Sequence, residues 1–150
     1  MLHGYFPPHR FLPYLAWTEI TALPDRENTV IVLPVGATEQ HGPHLPCSVD
    51  TVIAAGVIGK AFERLPAEIR AFGLPPITYG KSEEHLHFAG TMTLTGTTLL
   101  STMIELGESV YRSGFRKLVF ANGHGGQPQV LEMAAREMRL RHGDYVVVPY

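Results

Sequence analysis

Residues 34–50 read PVGATEQHGPHLPCSVD and set Glu39, His41, His44 and Asp50 on a loop stiffened by proline and glycine. A second stretch, ANGHGG at 121–126, adds His124 among glycines. Carboxylate and imidazole donors without a thiolate suit Zn²⁺, Mn²⁺ or Fe²⁺. With two carboxylates, one can bridge a pair of ions, the arrangement that activates a water for hydrolysis. A third group, Ser82, Glu83, Glu84, His85 and His87, could line the same pocket or steady a ligand from behind.

Each residue also has an ordinary reading. Asp50 directly precedes an apolar helical stretch and could be its N-cap. His41 and His44 could be surface histidines, and Glu39 and residues 82–87 simply solvated. Gly-His-Gly-Gly ahead of a helix also fits an anion-binding turn of a nucleotide-binding protein, but that reading leaves the cluster from Glu39 to Asp50 unexplained.

The elements that would carry these loops alternate in type. NTVIVLPVG (28–36) is β-branched, lacks polar alternation and reads as a strand buried on both faces. The segment starting at Asp50 reads as a helix with Val52, Ile53, Val57, Ala61 and Phe62 on its apolar face and a stop at Pro66. AFGLPPITYG (71–80) is a weaker strand, its prolines suiting an edge. GTTLLSTMIELGESVYRSGF reads as a helix capped by Thr97 or Thr98, with Leu99, Leu100, Met103, Ile104, Leu106, Val110 and Tyr111 facing the core and Gly114 ending it. RKLVFANGH (116–124) is a second buried strand, PQVLEMAAREMRLRHG a third helix and DYVVVPY a last strand. Strands alternating with helices predict a mostly parallel sheet covered by helices. In such sheets, binding residues collect where strands end at their carboxyl side. Both buried strands run into candidate ligands there, so if they are neighbours, Glu39, His41, Asp50 and His124 converge.

A chain of 150 residues is the size of a single domain, and a net charge of −2 offers no case for nucleic acid or a membrane surface. One cysteine, Cys47, excludes an internal disulfide and suits a reducing, cytoplasmic setting. The N-terminal twenty residues lack a leader pattern, and no run approaches the ~20 apolar residues of a membrane span.

LPVGATEQHGPHLPCSVDT, GKSEEHLHFAGTMTLTGTT and VFANGHGGQ, in that order and at similar spacing, resemble the creatininase (creatinine amidohydrolase) family from about Trp17 to the C-terminal end. The resemblance implies a three-layer α/β/α sandwich and a metal-dependent hydrolase, usually with two ions, acting on a C–N bond in a small cyclic amide, amidine or formamide; one branch of the family is a peptidase of redox-cofactor maturation. It implies Glu39, His41, Asp50 and His124 as ligands, Asp50 bridging, with Glu84 and His85 near the reacting centre; no residue clearly fills the general-acid role such a hydrolysis needs, and His85 is the stand-in. It also implies a homo-oligomer, commonly a hexamer. Creatinine-hydrolysing members resemble Asn-Gly-His-x-Glu at the third motif, whose glutamate is a further ligand; Gly126 stands there instead. Members with Gly-His-Gly-Gly take that ligand, and a proton-moving histidine, from a later His-Ala-Gly…Glu-Thr segment, which these 150 residues do not contain. The expectation is therefore a C-terminally incomplete creatininase-like domain, and the alternative is a degenerate member that binds metal or assembles without hydrolysing. In the middle motif FAGT replaces Phe-Pro-Gly-Thr, Ala89 standing for proline, a mild change.

Overall fold

The computed structural model describes residues 3–150; Met1 and Leu2, where the leader reading begins, lie outside the described residues. Four strands, β1 (Val30–Val35), β2 (Ala71–Gly73), β3 (Lys117–Asn122) and β4 (Val146–Pro149), form a sheet in the order β2-β1-β3-β4. Every pairing is parallel, so the sheet is wholly rather than mostly parallel. The short helix α1 (Trp17–Ala22) precedes β1, and α2 (Val49–Arg64), α3 (Gly96–Arg112) and α4 (Pro128–Arg141) make the crossovers.

The strand order explains the layers. From β1 the chain steps outward to β2 through α2, then returns over β1 to β3 through α3 and on to β4 through α4. Parallel crossovers keep one hand, so reversing direction moves the helices to the opposite face. Ile31, Leu33, Val35, Leu118, Phe120 and Val147 accordingly pack with Leu99, Met103, Leu131, Ala134, Ala135 and Met138 of α3 and α4. Val32, Ala71 and Ala121 face the other way, against Phe62 of α2 and the N-terminal Phe6 and Phe11. β1 is thus buried on both faces, as its unbroken apolar run requires, and the direction of stepping across the sheet reverses between β1 and β3.

Three local expectations change. The 71–80 stretch supplies only Ala71–Gly73 as strand, because Pro75 and Pro76 have no N–H for a ladder; a single bridge from Ile77 to Val35 follows. α3 is capped by Thr95, whose hydroxyl accepts from the Thr98 N–H, rather than by Thr97 or Thr98. The largest change is in α2, which leaves Val52, Ile53 and Val57 exposed and buries Asp50, Ala54, Ala55, Gly59 and Phe62.

Small residues on α2 permit a close approach, and the sheet is cut away to receive it. A Cβ on Gly36, just past β1, would fall on the backbone of Thr51; one on Gly123, just past β3, would fall on the Asp50 carbonyl and Ala54. The first turn of α2 therefore rests on two glycines at the adjacent ends of the central strands. A methyl in either place should force helix and sheet apart at a cost of ~1–3 kcal/mol. Gly36→Ala and Gly123→Ala should each lower the urea midpoint at unchanged slope; a wild-type midpoint for both would show that the contact is not tight.

Candidate metal centre

β1 and β3 pair over their whole length, Val30 against Lys117 through Val35 against Asn122. Their loops leave the sheet at one level beside the point where the crossover direction reverses, the crevice where open α/β sheets bind ligands. The Gly123 N–H donates to the Val35 carbonyl at 2.8 Å and carries the register one step into the loops. Glu39, Asp50 and His124 are buried there, and His41 closes the group from a half-buried position.

Asp50 lies in the first turn of α2, with Ser48 as the cap residue, so its carboxylate sits at the positive end of the helix. Its two oxygens serve different imidazoles: Oδ1 is 2.9 Å from His41 Nε2 and Oδ2 is 2.9 Å from His124 Nδ1. Glu39 Oε1 is 3.3 Å from His124 Nδ1 and 3.9 Å from His41 Nε2. Each ring's other nitrogen is committed to main chain. His41 Nδ1 is 3.1 Å from the Glu39 carbonyl, and His124 Nε2 is 2.8 Å from the Lys81 carbonyl, with Ser82 Oγ at 3.4 Å. A carbonyl accepts only, so the N–H of each neutral ring is fixed on that side and the opposite lone pair faces the carboxylates.

Lone pairs facing carboxylates repel unless a proton or a metal ion lies between them, and only the His41–Asp50 pair is placed as a hydrogen bond. Asp50 Oδ2 has no hydrogen-bond partner even with His124 Nδ1 at 2.9 Å, since the ring proton is held on Nε2 by the Lys81 carbonyl, and the buried Glu39 Oε2 has none either. Buried carboxylate oxygens are costly in that condition. The donor set therefore fits divalent metal better than a self-satisfied polar network. For His41, burial lowers the pKa, but the Glu39 carbonyl and the Asp50 carboxylate outweigh it, and the net shift is upward.

Of the residues singled out from sequence, Glu39, His41, Asp50 and His124 meet, while His44 is exposed and joins no group of metal-donor side chains among the described residues. Glu84, on the short 3-10 turn Glu83–His85, reaches the cluster: donor atoms of Glu39, Glu84 and His124 lie within 4.8 Å of one another. His85 lies aside, its Nδ1 3.1 Å from Gln40 Nε2 and its ring edge-on to Phe88.

Sequence reasoning passed over Gln127. This side chain is fully buried where ANGHGG enters α4. Its Nε2 donates to the Gly36 carbonyl at 3.3 Å and to Asn122 Oδ1 at 3.0 Å, and its Oε1 accepts from Lys81 N–H at 3.1 Å. Asn122 Oδ1 in turn accepts from the His124 N–H, and the Lys81 carbonyl holds the His124 ring. One amide thus ties together the loops after β1, β2 and β3. The available signal was slight, a lone glutamine between a glycine pair and the proline that starts a helix.

The creatinine amidohydrolase (creatininase) family profile matches residues 13–149, and the chain belongs to this family. It is 42% identical over 122 residues to the mycofactocin precursor peptide peptidase of Mycolicibacterium smegmatis, covering 80% of this chain and 49% of that one. It is 35% identical over 138 residues to the creatinine amidohydrolase of Pseudomonas putida, covering 86% of this chain and 52% of that one. Solved creatininase structures described as Zn-Zn type and as Mn superpose with a TM-score of 0.79 at 34% identity; they cover 93% and 94% of this chain and 57% of their own. The chain spans about half the length of the curated relatives it matches.

Replacing Gln127 with leucine keeps the bulk and removes every hydrogen bond. Leaving buried main-chain groups unpaired costs ~1–3 kcal/mol each, so Gln127→Leu should lower the urea midpoint markedly and weaken Zn²⁺ binding with it. Wild-type values for both would show that the tie is dispensable.

Proposed function

We propose that the chain is the metal-holding part of a hydrolase that cleaves C–N bonds in amides. The observation that carries this reading is the division of Asp50 between two imidazoles, each already anchored to a carbonyl. One ion would be held by Glu39, Asp50 and His124, and a second by His41 and Asp50, with Asp50 bridging. Carboxylate and imidazole donors accept Zn²⁺, Mn²⁺ or Fe²⁺, and membership of the creatininase family supports the two-ion form.

When bound, the ions supply a water of lowered pKa and a positive charge for the carbonyl oxygen under attack. The chain's own contribution is to hold the donors still. Backbone carbonyls fix both ring tautomers, the α2 N-terminus steadies Asp50, and proline and glycine stiffen the loop, so little entropy is lost when the site fills. His85, on the turn that carries Glu84, is the candidate to protonate the leaving nitrogen. Gln40 engages its Nδ1, and its Nε2 has no hydrogen-bond partner among the described residues, which leaves that nitrogen able to carry a proton. Substrates extend from a small cyclic amide to a peptide bond, since the relatives above carry both descriptions. The exposed Val52, Ile53 and Val57 on α2 support self-association, with a hexamer the form implied by the family. No helix among the described residues is long and apolar enough to cross a membrane.

The reading makes a direct prediction for elemental analysis. Protein purified without chelator should carry divalent transition metal, and Asp50→Ala and His124→Ala should each reduce it at least several-fold. Unchanged metal in both variants would end the assignment. Creatinine and a short peptide amide, offered to Zn²⁺-loaded and chelator-stripped protein, would separate the substrate classes, with turnover expected only in the loaded form.

A further inference from the structure

We infer that Glu84 is a ligand of the ion held by Glu39 and His124, a role that rests on the metal-centre reading above and extends it. Glu39 and His124 are both buried, and Glu39 Oε2 has no hydrogen-bond partner there. Glu84, exposed on its 3-10 turn, supplies the next donor, within 4.8 Å of donor atoms on both residues. An exposed glutamate free to turn away would be expected to avoid a buried carboxylate, since like charges at short range repel. Its placement needs a reason.

Two features of the chain produce that placement. First, the turn bearing Glu84 is built onto His124. The Lys81 carbonyl and Ser82 Oγ meet His124 Nε2, Gln127 grips the Lys81 N–H, and the Thr93 hydroxyl accepts from the Ser82 N–H at 2.7 Å. Glu84 follows two residues later, on the 3-10 turn, so its backbone is fixed relative to the imidazole. Second, Gly126 clears the space. A Cβ there would collide with Glu84 Oε1, His124 Nε2 and the Lys81 carbonyl. Glycine at this position leaves room for the Glu84 carboxylate beside the His124 ring. The other oxygen of Glu84, Oε2, is 3.8 Å from Lys81 Nζ, which also lies 3.3 Å from Glu83. The lysine therefore offsets charge at the rim, and the ligand is carried on an adjustable side chain that can close over the ion.

The test is Zn²⁺ affinity by competition with a chromophoric chelator, together with the visible spectrum of the Co²⁺-loaded protein. Glu84→Gln keeps size and should fold as wild type, because the side chain is exposed. It should weaken Zn²⁺ binding by about tenfold or more, the scale of even indirect supports of metal sites. It should also change the Co²⁺ ligand-field bands at saturating metal, which a remote loss of charge would not do. Lys81→Met removes the competing ammonium and retains the backbone carbonyl, so it should bind Zn²⁺ at least as tightly as wild type. Unchanged affinity and Co²⁺ bands in Glu84→Gln would overturn the inference. So would weakening by Lys81→Met equal to that of Glu84→Gln, since the ion pair would then be the cause. Asp50→Asn separates this from failure of the larger reading: if it too binds Zn²⁺ as wild type, the metal centre itself is wrong.

Discussion

The unbroken pairing of β1 with β3 is the constraint on which the site depends. Because Val35 stands opposite Asn122, the residues that follow both strands emerge at one height and on one side of the sheet. A slip of one residue would turn alternate side chains to the other face. It would send Ile31, Leu33 and Val35 away from α3 and α4, so the apolar packing of the larger core also fixes the register of the polar loops. The neighbours β2 and β4 pair over fewer residues and contribute less to this alignment.

The site then solves a charge problem created by its own burial. Glu39 and Asp50 lie together away from water, and a buried carboxylate is costly unless paired. The N-terminus of α2 offsets part of this for Asp50. It can reach the sheet only because Gly36 and Gly123 lack side chains and α2 presents Ala54, Ala55 and Gly59 inward. The same glycines would look like flexibility in isolation. Here they have the opposite effect, since each permits a contact too close for any other residue. The exposed Val52, Ile53 and Val57 follow from this choice: once the helix seats its small face, its branched face must point outward.

The sequence made the fold class, the two buried strands and the four converging donors legible, because each depended on local pattern plus one rule about strand ends. An apolar run such as TVIVL has few alternatives as a strand, and ligands at the ends of two such runs need only adjacency to meet. What escaped was set by contact across the chain. The burial of α2 could not be read from its hydrophobic residues, since the deciding partners were two glycines, one 13 positions before its first residue and the other 74 after it. Thr95 took the cap from Thr97 and Thr98 because the helix begins one turn earlier than its apolar periodicity suggests. Gln127 was invisible for a related reason: a glutamine carries no local signal, and its importance arises from three loops meeting around it.

Glu84 and Gln127 show how this fold divides rigidity from access. Gln127 is sealed inside and bonds to groups that must not move relative to one another. Glu84 is exposed at the rim, on a turn whose base is anchored to His124 but whose side chain is shared with Lys81. The inner donors are thereby preorganised, and adjustment is confined to one flexible carboxylate facing solvent. The positions of the inner donors are then set mainly by backbone carbonyls and strand register, which substitutions at the rim leave in place. Rim residues such as Gln40, Glu84 and His85 can therefore vary while the inner donors stay fixed, a division that suits a fold whose relatives are described by different substrates.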